Sequence, residues 1–160
     1  MNIQNKNIVI TGAANGIGHA LAKRMSEESP KSISLIDINS SLKEVAGSLN
    51  AESYIVDVSN EHDFQTVLKD IINKNGSIDL FCSNAGIQQF GTLETSTLDW
   101  QKNWDVNVMS HIYAAKVLIP HMKKLGSGYL LLTVSAAGLL NMPGAIAVSY
   151  THLRAHETNS

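Results

Sequence analysis

Cysteine is nearly absent. The chain of 160 residues and 17.3 kDa has one, Cys82, which excludes an internal disulfide framework and a cysteine-rich zinc site. Charge is scarce too: 16% of residues are charged, against the usual ~25%, and 14 Asn and 17 Ser supply polar surface instead. The net charge of −2 excludes a basic nucleic-acid surface. No apolar run approaches the ~18–20 residues of a membrane-spanning helix, so no membrane partner is expected. The polar stretch from Met1 to Asn7, with Lys6 its only charge, does not read as a signal peptide, and a cytoplasmic location is expected. His152 and His156 stand four apart but have no third ligand, so no metal site is expected. His19, His62, His111 and His121 show no clustered spacing and read as surface or helix-packing residues. What remains is sufficient for a core: 44% of residues are hydrophobic, and a chain of about 150 residues can bury roughly 70% of its unfolded surface.

Strand and helix patterns alternate along the chain. Asn7–Thr11, Ser32–Asp37, Ser53–Val58, Ile78–Ser83 and Gly128–Ser135 read as five strands apolar on both faces. Between them Gly16–Glu28, Ser40–Leu49, a segment capped by Ser59 or Asn60 and running to Lys74, and Asp99–Leu125 read as helices. This order implies an α/β fold, a doubly wound parallel sheet covered on both faces. Cys82, inside an apolar strand, reads as a small buried hydrophobe.

The turn Thr11-Gly-Ala-Ala-Asn-Gly-Ile-Gly18 joins the first strand to the first helix. Gly12 lets the chain leave the strand, Gly16 clears the approach of a pyrophosphate to backbone N–H groups, and Gly18 permits close helix–sheet packing. Asp37 follows Gly18 by nineteen residues, at the end of the second strand. A carboxylate there accepts hydrogen bonds from a ribose diol and repels a phosphorylated ribose. No Arg or Lys lies between Ile38 and Leu42 to offset it, so NAD is expected over NADP.

The spacing Gly-x-x-x-Gly-x-Gly resembles that of the short-chain dehydrogenase/reductase family, in its non-extended branch, and four further stretches match in order. Asp57-Val58 ends the third strand, Asn84-Ala85-Gly86 follows the fourth, Asn107 lies within Asp105-Val-Asn-Val108, and Ser135 closes the fifth strand. The family has Asn where Ser83 stands. The resemblance implies a Rossmann-like fold and a nicotinamide cofactor. Gly12, Asn15, Gly16, Ile17, Gly18, Asp37 and Ile38 would hold it, with Asp57 and Val58 at the adenine ring and Asn84, Ala85 and Gly86 after the fourth strand. It gives Ser135 the serine role of positioning the substrate oxygen, and Asn107 the asparagine role in a proton relay. The implied substrate is a small or medium alcohol or carbonyl compound, and the implied assembly is a homo-oligomer. The alternative is a non-catalytic dinucleotide-binding module.

The family's acid/base Tyr usually lies thirteen residues after the Ser, which here is Val148; Tyr150 and Arg154 imitate the family's Tyr-x-x-x-Lys two residues late. On a helix that slip turns a side chain by about 200°. From Val148 the resemblance stops, and residues 148–160 look like translated sequencing adapter. Residues 1–147 are therefore expected to be an NAD-binding domain incomplete at its C-terminal end, with the last strands missing and the fragment inactive.

Overall fold

The computed structural model describes residues 2–88 and 94–135. The residues expected to form a tail, with Tyr150, His152, Arg154 and His156, lie outside the described residues.

Five parallel strands form one sheet: β1 (Asn7–Thr11), β2 (Ser32–Asp37), β3 (Glu52–Ile55), β4 (Leu80–Ser83) and β5 (Tyr129–Leu132), in the order β3-β2-β1-β4-β5. β1 takes the centre because its residues are buried on both faces. It pairs with β2 in register Asn7 to Ser32 and with β4 in register Ile8 to Leu80. The chain winds outward from β1 to β3 and then returns to place β4 on β1's other side. The switch point therefore falls between β1 and β4, where doubly wound sheets bind ligands.

The helices are α1 (Gly16–Ser26), α2 (Leu42–Ser48), α3 (Glu61–Asn75), α4 (Thr97–Trp104) and α5 (Ser110–Leu125). On one face Ile8, Ile10, Leu35, Leu42 and Ala22 form a core layer; on the other, Val9, Ile36, Phe64, Leu68, Phe81 and Leu118 form a second. α3 opens on the Asn60 side chain, which accepts from the Asp63 N–H, and closes at Gly76 with φ +85°. α4 opens on Ser96, whose Oγ accepts from the Asp99 N–H at 3.1 Å.

One element departs from the expected course. The segment read as a single helix from Asp99 to Leu125 begins at Thr97 and is interrupted by a π-helical turn, Asp105–Met109, between α4 and α5. There the N–H of Ser110 reaches back five residues to the carbonyl of Asp105. The extra residue in the ladder widens the helix at Asn107. α1 and α2 keep their expected places with shorter ends, while α3 runs one residue further, to Asn75. β3 and β5 end earlier than expected, at Ile55 and Leu132, so Asp57-Val58 and Ser135 lie past the strand ends rather than in them, and β4 begins at Leu80 rather than Ile78.

Candidate functional site

The glycine turn is shaped by close contact on one side and open space on the other. Gly12 sits at φ +66°, and a Cβ there would come within 2.8 Å of the Ala85 Cα. A Cβ on Gly18 would stand 2.1 Å from the Gly12 carbonyl oxygen, so helix α1 packs directly on the turn. At Gly16, with φ +55°, a Cβ would meet nothing within 4 Å. The N-terminus of α1 is also left without the devices that close its neighbours. Asn15 makes no capping bond and the first turn carries no acid, whereas α3 and α4 have both. Its first-turn N–H groups and positive end thus face open space beside Gly16.

Asp37 is held in place by the same turn. One carboxylate oxygen accepts from the Ala14 N–H and the other from the Asn39 N–H, each at 2.9 Å. Asp57 is fixed similarly, with Oδ1 accepting from the Ser59 N–H and hydroxyl.

The ends of β1, β4 and β5 are laced together beside the turn. Thr11 Oγ1 accepts from the N–H groups of Asn84 and Ala85 at 2.9 and 3.0 Å. The Asn84 amide donates to the Thr11 carbonyl at 3.1 Å, and its oxygen accepts from the Thr133 hydroxyl at 3.0 Å. Asn107 is buried, and its amide is fully engaged: Oδ1 accepts from the Ile87 N–H and Nδ2 donates to the Ile87 carbonyl, both at 2.9 Å. One turn further on, His111 Nδ1 is hydrogen-bonded to the hydroxyl of Ser83. Asn107 and His111 thus fasten the π-turn and the start of α5 to the end of β4 at two points four residues apart. Ser135 lies just beyond β5, half-buried.

A cavity of about 400 Å³ opens over these ends. Gly12, Asn15 and Ile17 line it from the turn, Asp37, Ile38, Asp57 and Val58 from the β2–β3 side, and Asn84, Ala85 and Gly86 from β4. Gly16, Gly18, Asn107 and Ser135 are not among its lining residues. Lining residues without a signal in the sequence are Val56, Ile87 and Thr133, which lie beside matched motifs, and Lys102 and Val106, which sit far along the chain on α4 and the π-turn. His111 belongs with them: an isolated His carries no pattern, and its Ser83 partner is visible only in the fold. Cys82 is buried, and burial pushes its thiol up to about 11, so it is not a nucleophile near neutral pH. Among the described residues no three His, Cys, Asp or Glu side chains cluster as a metal site would require, and no helix is long and apolar enough to cross a membrane.

The parallel sheet, its switch point and the glycine turn beneath an uncapped helix define a Rossmann-like domain. The chain belongs to the short-chain dehydrogenase family, whose model matches residues 6–151. It is 34% identical over 143 residues to the meso-2,3-butanediol dehydrogenase of Serratia marcescens, covering 87% of this chain and 57% of that protein. It is 32% identical to an uncharacterized oxidoreductase of Thermotoga maritima, covering 89% and 59%. A Burkholderia phymatum short-chain dehydrogenase/reductase, solved in complex with NAD, superposes with a TM-score of 0.90 at 29% identity, covering 97% of this chain and 58% of that one. NAD⁺-bound xylitol dehydrogenase superposes at 0.87 with 26% identity, covering 95% and 61%. The chain therefore spans about three fifths of the length of these relatives.

Proposed function

We propose that the chain is the cofactor-binding part of an NAD-dependent oxidoreductase acting on a small or medium alcohol or carbonyl compound. The observation that carries the proposal is the cavity in which an open, uncapped helix N-terminus faces a carboxylate anchored at the tip of β2. The turn's N–H groups suit a pyrophosphate, and the fixed Asp37 carboxylate suits a ribose diol and disfavours a 2′-phosphate. NAD is bound by the relatives of known structure, which supports the same cofactor here. Bound at the site, the nicotinamide would accept or supply the hydride. Ser135 would orient the substrate oxygen, and Asn107, through its grip on Ile87, would hold the loop beside it.

The acid/base that moves the substrate proton belongs, in this reading, to a native continuation after Ala147, with Tyr in place of Val148 and Lys in place of His152. Residues 148–160 are then a non-native tail, and the chain as it stands binds dinucleotide without turnover. The gene at its source locus should diverge from these codons; identical codons through Ser160 would refute the truncation.

Fluorescence titration with NADH and NADPH tests the cofactor reading. NADH should bind more tightly, and Asp37→Ala should cut the discrimination by about ten- to a hundredfold, the loss of one or two charge-assisted hydrogen bonds. Unchanged discrimination would remove the role given to Asp37. A chain carrying the native continuation should oxidise alcohols or reduce carbonyls with NAD; inactivity over a broad panel would favour a pure binding module.

A further inference from the structure

The two carboxylates that line the cavity, Asp37 and Asp57, are both anchored by backbone N–H groups, and a dinucleotide brings further negative charge. One cation lines the cavity among the described residues: Lys102. It is exposed and forms no ion pair among the described residues. Lys102 stands four residues before Val106, so the two side chains share one face of the chain where α4 runs into the π-turn, and both line the cavity. Val106 belongs to the same core layer as Val58, the residue after Asp57. Lys102 therefore lines the same cavity as Asp37, Ile38 and Asp57.

We infer that Lys102 is a specificity-determining residue for the adenosine half of the cofactor, a counter-charge that tempers the exclusion of a phosphorylated ribose by Asp37. The inference rests on the dinucleotide reading of the cavity. Two opposed charges lining one site set a ratio rather than a yes or no: Asp37 disfavours a 2′-phosphate, and the Lys102 ammonium recovers part of that loss. A 2′-phosphate carries up to two charges and gains more from a nearby cation than an unmodified ribose does. The long flexible side chain makes this an electrostatic contribution rather than a fixed bidentate contact, so it weakens as salt rises.

The test is binding to the chain as it stands, with NADH, NADPH, 2′,5′-ADP, 5′-AMP and nicotinamide mononucleotide as probes. Lys102→Met keeps most of the stem and removes the charge. It should weaken NADPH and 2′,5′-ADP by about tenfold, NADH and 5′-AMP by about two- to threefold, and leave nicotinamide mononucleotide unchanged. Lys102→Arg should retain the parent pattern, and about 0.5 M salt should shrink the difference between parent and Lys102→Met. Equal losses for all five probes, or no change in the NADPH to NADH ratio, would overturn the inference while leaving the dinucleotide reading intact. Failure of the parent chain to bind NADH at all would remove both.

Discussion

Two glycines of one turn should respond differently to the same added methyl group. At Gly18 the new Cβ meets the Gly12 carbonyl at 2.1 Å, backbone against backbone, so α1 must move off the turn. Gly18→Ala should cost about 1–3 kcal/mol in urea unfolding and abolish measurable NADH binding. Gly16→Ala meets no steric barrier but must hold φ +55°, worth about 1–2 kcal/mol, and it places a methyl in the space left for the pyrophosphate. Its stability loss should be smaller and its binding loss at least tenfold; equal effects of the two variants would contradict the separate roles. These residues were legible because glycine spacing after a strand has few other causes. Thr11, Thr133 and Lys102 were not, because a hydroxyl or an ammonium is ordinary on its own and gains meaning only from partners on other elements.

The π-turn is the element on which pattern and structure part. Its residues keep a helical periodicity, so the sequence reads as one helix through Leu125; the inserted residue is stabilised by bonds outside the helix, from Asn107 to Ile87 and from His111 to Ser83. The expectation that Asn107 matters came from a family motif, while its work in the fold, two bonds to the backbone N–H and C=O of one residue, was invisible to spacing. Asn107→Asp is nearly isosteric and tests it. Above neutral pH the carboxylate still accepts from the Ile87 N–H but turns its second oxygen on the Ile87 carbonyl, with an expected loss of about 1–3 kcal/mol. Facing that carbonyl while buried raises the pKa of the introduced acid in the folded state. The penalty should therefore be absent below the unfolded value of about 3.9 and grow as pH rises through the interval up to the raised folded value. A loss independent of pH would mean that volume, not the hydrogen-bond pair, is what Asn107 supplies.

Across the whole molecule the two core layers are unequal in cover. β1, β2 and β4 are sealed between helices, and Phe64 and Phe81 meet with ring centroids 6.4 Å apart at the middle of one layer. β5 pairs with β4 on one side, and among the described residues no strand pairs with its other edge. Tyr129, Leu131, Leu132 and Val134 are exposed there. The burial of the central strands was readable from their continuous apolar runs. For β5 the apolar run alone does not decide, because an equally apolar run is buried or bare according to what lies beyond it; the expectation that the last strands are missing is what points to an open edge there. An unpaired apolar edge is a template for another chain. The protein should therefore associate with rising concentration, as read by light scattering or sedimentation across a tenfold range. Leu131→Lys, at a position 45% exposed, should reduce that association with about 0.5 kcal/mol or less change in unfolding free energy. A chain carrying the native continuation proposed after Ala147 should lose this open-ended growth even without the substitution, since its added residues would cover the edge, and should stop at a finite homo-oligomer of the kind the family resemblance implies. If Leu131→Lys leaves association unchanged in the present chain, the contact lies elsewhere, with the exposed Ile112 and Ile119 of α5 as the next surface to alter.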